Sequence, residues 1–301
     1  MNPHDEKVLI LDFGSQYTQL IARKVREQKV YAEIVPFNYP IEKIKNEKPS
    51  AIILSGGPSS TYDKGAPFVS SEIFNLNVPV LGICYGLYMI VNGFAGKSSS
   101  SNKKEYGRAE IIIKKESPLF KGLSERETVW MSHGDKVTEI PSGFEIVAES
   151  ENTPVAAIQN TAKNIYGIQF HPEVFHSVHG KEVIANFLFE ICKLKGLWTM
   201  KSFVDSSVEQ IRKEVGNGTV LLGLSGGVDS TVTAVLLQKA IGEKLYCVFV
   251  DNGVLRKNEA ENVIKRYKDG LNLNLIAVDA VDLFLKKLKG VTDPEKKRRI
   301  I

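Results

Sequence analysis

No stretch of the sequence stays apolar for the roughly 18 residues that a membrane-crossing helix needs. The opening MNPHDEKVLILDFG carries acids where a secretion signal has a cationic region and then a long apolar one. A cytoplasmic protein with no membrane partner is the expectation. Cysteine is scarce: Cys84, Cys192 and Cys247 are odd in number, scattered and without CxxC spacing, which argues against a disulfide framework and a structural zinc site. Charge of one sign is lacking too. The formal net charge of +4 is matched by the KKRR run, Lys296 to Arg299, alone, and no basic face with interleaved aromatics accompanies it. The run therefore reads as a solvated helical face, and no nucleic-acid partner is expected.

What is present is an ordinary globular composition: 301 residues, 43% hydrophobic and 25% charged, long enough for about two domains with a core each. From the start, short apolar runs alternate with amphipathic stretches. KVLILDFG, AEIVPF, AIILSGG and VPVLGI read as strands and SQYTQLIARKVREQ as a helix. This alternation predicts an α/β fold in which a mostly parallel sheet is covered by helices. The middle holds short strand-like pieces, RAEIIIKK, TVWMSH, EIVAES, VAAIQN and IYGIQF, and then a helix, GKEVIANFLFEICKLK, that closes a first domain at 1–197. The serine run Ser98 to Ser101 reads as a mobile surface loop. A second α/β domain, 203–301, repeats the grammar with TVLLGLS, TVTAVLLQKAIG, KLYCVFVDNG and LNLIAVDA. Asp293 and Pro294 make a helix start, an N-cap acid with proline at the first helical position. Only about two turns follow it, so this domain is expected to be incomplete.

The segment VPVLGICYGLY sets Cys84 where a strand meets a helix, with Gly82 and Gly86 two positions to either side. A nucleophile on so sharp a turn needs neighbours without side chains, and the helix N-terminus both favours the thiolate and offers N–H groups to an oxyanion. Cys192 and Cys247, on an apolar helix and strand, read as core residues. The thiolate needs a base. In YGIQFHPEV, His171 precedes Pro172, and Glu173 is an acid placed to orient the imidazole and stabilise its cation. His171, His176 and His179 could also be taken as a metal cluster, but no further cysteine or carboxylate pairing supports a tetrahedral site. His133, in WMSHGD, is left between lining the same cleft and bonding a loop. In ILSGGPSS, Gly56 and Gly57 allow a backbone N–H to turn toward an oxyanion, with the N–H of Tyr85 as the neighbouring donor.

With GGP, GxCxG and HPE in this order, the first domain resembles the class I glutamine amidotransferase family. The resemblance implies a flavodoxin-like domain that hydrolyses the side-chain amide of L-glutamine through a γ-glutamyl thioester and releases ammonia. It implies Cys84 as nucleophile, His171 as general base and acid, Glu173 as orienting carboxylate, and the N–H groups of Gly57 and Tyr85 as oxyanion hole. One position departs from the family pattern GxCxGxQ: Tyr88 stands where a glutamine lies near the substrate, one helical turn after the nucleophile.

In LGLSGGVDSTVTAVLL, a strand, a glycine turn and a helix present free N–H groups able to hold a phosphate. The loop lacks the lysine of a Walker A motif, while Asp229 is placed to help hold Mg2+ and Ser225 and Ser230 to donate to oxyanions. The hexapeptide Ser225, Gly226, Gly227, Val228, Asp229 and Ser230 resembles the pyrophosphate-binding loop of the ATP pyrophosphatase family. That likeness implies an adenine-nucleotide α-hydrolase-like domain and ATP as ligand. The order of the two domains, with VFVDNGVLRKNE and VTDPEKKRRII, is similar to the family of glutamine-hydrolysing GMP synthetases. That resemblance implies a ligase in which ammonia aminates ATP-adenylated XMP, giving GMP, AMP and pyrophosphate. In that family the synthetase domain runs past the position of residue 301 and a dimerisation domain follows, so a homodimer is implied for a full-length relative and a partial synthetase site for this chain. Two other readings stay open. One is another ATP pyrophosphatase amidotransferase, and the other is a non-catalytic sensing or subunit-interaction module in which Tyr88 closes the glutamine pocket.

Overall fold

The computed structural model describes residues 6–301, apart from the side chains of residues 102 and 103. It divides into two compact units, the first ending at Thr199 and the second running Met200–Ile301. Among the described residues, no helix is long and apolar enough to cross a membrane.

The first unit runs β1 (Lys7–Asp12), α1 (Thr18–Glu27), β2 (Tyr31–Pro36), α2 (Ile41–Glu47), β3 (Ala51–Leu54), β4 (Val80–Ile83), α3 (Tyr85–Gly93), β5 (Lys97–Ile113), β6 (Arg126–Glu139), β7 (Glu145–Ser150), β8 (Ala157–Asn160), β9 (Ile165–Ile168) and α4 (Gly180–Ala185). The last helix continues as a π-helical turn, Asn186–Ile191. Nine strands form one sheet in the order β2-β1-β3-β4-β9-β8-β7-β5-β6. Its first five strands are parallel, and from β9 onward the pairing is antiparallel. The parallel half is apolar on both faces because helices cover both. On β1, Val8 and Ile10 pack with Ile21, Ala22 and Val25 of α1, whereas Leu9 and Leu11 share the other core with Ile44 of α2 and Leu87 and Ile90 of α3. Burying both faces this way places the strand ends and their loops along one edge, where open α/β sheets bind ligands.

The serine run is not a loop. Ser98, Ser99 and Ser100 lie in β5, paired with Val137, Lys136 and Asp135 of β6. Serine's weak strand preference is overridden by the ladder to β6, a case of tertiary context outweighing local propensity. The two short pieces RAEIIIKK and TVWMSH are thus parts of one long antiparallel ribbon.

The second unit contains α5 (Met200–Val215), β10 (Val220–Leu224), α6 (Val228–Ile241), β11 (Leu245–Asp251), α7 (Glu259–Lys265), β12 (Leu275–Asp279), α8 (Val281–Leu288) and α9 (Pro294–Ile300). Its three strands form a parallel sheet in sequence order. One face, with Leu224, Cys247, Phe249 and Leu275, is buried with Ala234, Val263 and Tyr267. The other face, with Leu221, Tyr246, Val250, Ile276 and Val278, is exposed, Leu221 to 72%. The Asp293 side chain accepts from the Lys296 N–H at 2.8 Å, capping the helix that presents KKRR to solvent.

Candidate active site

Cys84 stands alone between β4 and α3 with φ 53° and ψ −100°. Positive φ is strained for a residue with a side chain and persists only where its surroundings enforce it. Here they do: the Cys84 N–H donates to the Ile168 carbonyl of β9 at 2.8 Å, and the Gly86 N–H to the Ser55 carbonyl at 3.1 Å. A Cβ on Gly82 would overlap the Gly86 carbonyl, and one on Gly86 would overlap the Leu54 backbone. The two glycines flanking the cysteine are therefore required by close approach.

His171 and Glu173 follow β9, and both side chains are buried. The His171 Nδ1–H donates to Glu173 Oε1 at 2.7 Å, which leaves Nε2 for another partner. The ring is held from several sides. Its backbone N–H donates to the Trp130 carbonyl at 3.0 Å, its carbonyl accepts from the Ser177 hydroxyl, and Tyr17 meets it edge-on with ring centroids 5.2 Å apart. Burial by itself would lower the His171 pKa, but the hydrogen bonds to Cys84 and Glu173 outweigh it and raise the value to about 10. The arrangement favours an imidazolium paired with the cysteine sulfur.

Gly56 and Gly57, after β3, lie against this pair. A Cβ on Gly56 would sit 3.1 Å from His171 Cε1 and 3.7 Å from Cys84 Cβ, and one on Gly57 would sit 2.9 Å from the Phe13 carbonyl oxygen and 3.3 Å from Tyr85 Cγ. A cleft of about 550 Å3 opens over Cys84 and His171, with Gly57, Tyr85, Tyr88 and Asp135 on its walls.

The β6 segment Ser132 to Asp135 forms the facing wall. The Tyr88 hydroxyl donates to the Asp135 carbonyl at 2.7 Å and that of Tyr62 to the Asp135 carboxylate at 2.6 Å. Burial, with Cys84 and Asp135 nearby, pushes the Tyr88 hydroxyl well above its ordinary pKa, so it stays a neutral donor. His133 both lines the cleft and bonds the chain, with Nδ1 donating to the Asp135 carbonyl at 2.8 Å. Behind it, Glu105 lies 3.4 Å from His133 Nε2. Burial alone would raise the Glu105 pKa, but hydrogen bonds with His133, Thr153 and Ser150 lower it.

The other histidines of the HPE segment diverge. His179 pairs with Glu127 at 2.6 Å and His176 stacks on Trp130 at 4.4 Å between centroids. Among the described residues no metal-holding group of three His, Cys, Asp or Glu side chains is gathered.

Two neighbours of the sulfur were not among the residues that the sequence singled out for the site. The Cys84 thiol donates to the Ser132 carbonyl at 3.7 Å, and the Gln169 side-chain amide donates to Cys84 Sγ at 3.8 Å. A signal for Gln169 was available: it stands two residues before His171 in the YGIQFHPEV segment that carries the histidine.

In the second unit, Ser225, Gly226 and Gly227 join β10 to α6, whose first turn holds Val228, Asp229 and Ser230. Gly226 has φ +82°, and a Cβ there would come within 3.0 Å of Val263. The hydroxyls of Ser225 and Ser230 lie 3.0 Å apart, Gly227 N–H donates to Ser225 Oγ at 3.3 Å, and Asp229 sits in the first turn of α6. Asp251 and Asp279 end the neighbouring strands on the same edge of the sheet.

Residues 9–191 match the family model for glutamine amidotransferase class-I, and residues 199–296 match that for NAD synthase. The chain is 54% identical over 301 residues to a glutamine-hydrolysing GMP synthase of Brachyspira hyodysenteriae, covering 100% of this chain and 59% of that protein. It is 52% identical over 295 residues to the enzyme so named in Carboxydothermus hydrogenoformans, covering 98% and 58%. The chain thus spans somewhat more than half the length of these relatives. Among solved structures, a Thermoplasma acidophilum protein assigned as one subunit of a GMP synthase superposes with a TM-score of 0.54 at 26% identity, over 62% of this chain and 94% of that one.

Proposed function

The chain belongs to the class I glutamine amidotransferase family, and from that premise we propose that its first unit hydrolyses the side-chain amide of L-glutamine. The observation that carries this reading is the meeting of Cys84 and His171 in one open cleft, with the buried Glu173 holding the far side of the imidazole. The Cys84 thiolate attacks the amide carbon, and the N–H groups of Gly57 and Tyr85 receive the oxyanion. His171 gives its proton to the departing nitrogen, so ammonia leaves and a γ-glutamyl thioester remains. His171 then takes a proton from water, which attacks the thioester and releases glutamate, restoring the thiolate. Glu173 stabilises the imidazolium throughout.

The second unit we read as part of an ATP pyrophosphatase domain of the GMP synthetase kind. A phosphate fits the loop, because Gly226 can adopt its positive φ without strain and the Ser225 and Ser230 hydroxyls gather at the N-terminus of α6. Ser225, Gly226, Gly227, Val228 and Ser230 hold the nucleotide phosphates in this reading, and Asp229 is the carboxylate for Mg2+. ATP supplies an adenylyl group that makes the C2 oxygen of XMP a leaving group for ammonia. The overall reaction, a carbon–nitrogen ligation in GMP biosynthesis, yields GMP, AMP, pyrophosphate and glutamate. Parallel sheets bury both faces. The exposed apolar face of β10, β11 and β12 supports the reading of this unit as part of a larger domain with a partial synthetase site. The full enzyme is read as a cytoplasmic homodimer.

The test is ammonia release from L-glutamine by this chain and by Cys84→Ala. Release that disappears in the variant supports the glutaminase; comparable release from both removes Cys84 from the chemistry. No release from the folded parent chain moves the sensing reading forward.

A further inference from the structure

We propose that Gln169 is a positioning residue for Cys84, its side-chain N–H holding the sulfur in the thiolate form that the reaction uses. The proposal rests on the reading of Cys84 as nucleophile. Gln169 is fully buried, and its Nε2 lies 3.8 Å from Cys84 Sγ, within reach of an N–H···S hydrogen bond. Besides His171, the sulfur also meets the Ser132 carbonyl at 3.7 Å. That carbonyl can accept from the neutral thiol but repels the thiolate, whereas the amide N–H attracts it. When the thiol proton passes to His171, Gln169 is thus the fixed neutral donor that gains.

The amide is itself held in place. Near it stands the Tyr88 phenol, whose own proton is committed to the Asp135 carbonyl at 2.7 Å. Turning the amide over would aim its oxygen at the lone pairs of the sulfur. In the observed orientation Gln169 Oε1 is buried with no partner among the described residues, an unfavourable arrangement for a carbonyl. The donor end is what the arrangement preserves.

The experiment measures the rate at which iodoacetamide alkylates Cys84 in the full chain at neutral pH, with the modified peptide identified by mass spectrometry, for the parent, Gln169→Leu and Gln169→Met. Both variants remove the donor, and methionine keeps the length of the side chain should leucine disturb folding. Alkylation about fivefold slower, with kcat for glutamine reduced to match and KM within twofold, is the expected result. Folded variants that alkylate within twofold of the parent would overturn the proposal, whatever their melting temperatures. The thiol is read without glutamine turnover, so a parent chain that released no ammonia would count against the glutaminase and leave this measurement intact.

Discussion

The Tyr88 hydroxyl donates a 2.7 Å hydrogen bond to the main-chain carbonyl of Asp135. It ties α3, one turn past Cys84, to β6, the strand that forms the opposite wall of the cleft. The bond is buried, and the same carbonyl accepts from His133 at 2.8 Å.

Removing only the hydroxyl should therefore be tolerated at modest cost. Tyr88→Phe is expected to lose about 1 kcal/mol of unfolding free energy, since the Asp135 carbonyl keeps its second donor. Urea titration checks this, and an unchanged midpoint would show that the bond contributes nothing.

Gly86 has no room for a side chain, because a Cβ there would overlap the Leu54 backbone and lie 2.8 Å from the Leu54 Cβ. Gly86→Ala is expected to destabilise the first unit by about 3 kcal/mol and to lower ammonia release sharply, since the turn that aims Cys84 must shift. A variant with the parent's melting temperature and activity would contradict the packing.

The raised His171 pKa makes a pH-dependent claim on stability. A group whose folded value, about 10, exceeds its unfolded value, about 6.5, adds stability that is full below pH 6.5 and is lost as pH rises toward 10. Glu173→Gln removes one source of that shift. Its destabilisation, read as a melting-temperature difference from the parent, should be largest near pH 6 and shrink by pH 10. A difference that grew with pH would reverse the assignment of charge.

Asp229 stands in the first turn of α6 beside the Ser225 and Ser230 hydroxyls. Asp229→Ala should weaken binding of Mg-ATP about tenfold while changing binding of metal-free ATP much less. Calorimetry with and without Mg2+ separates the two, and equal affinities for parent and variant would take Asp229 out of the site.

Much of the chemistry was legible along the chain because it is local. The spacing of Gly82, Cys84 and Gly86, the HPE run of His171 to Glu173 and the glycines of SGGVDS each encode a turn within a few residues. Backbone sterics confine such turns to stretches rich in glycine, which makes them readable, even where, as at Cys84, contacts with other strands hold the turn in place. The alternation of apolar runs likewise encodes strands buried on both faces, as β1 and β3 are.

Other features depend on residues far apart in the chain, about which local propensity carries no information. Ser98 to Ser100 became strand because β6 offers a ladder to pair with, against serine's own preference. Gln169 and Ser132 reach the sulfur only once β6 and the segment after β9 converge on the elbow. The three histidines of the HPE segment were near neighbours in sequence, yet packing sent them to Glu173, Trp130 and Glu127. The sequence by itself determined the turns and the reactive groups, through short-range sterics. Which groups face the nucleophile was decided only by the tertiary structure, because burial and hydrogen bonding act between segments that the chain order keeps apart.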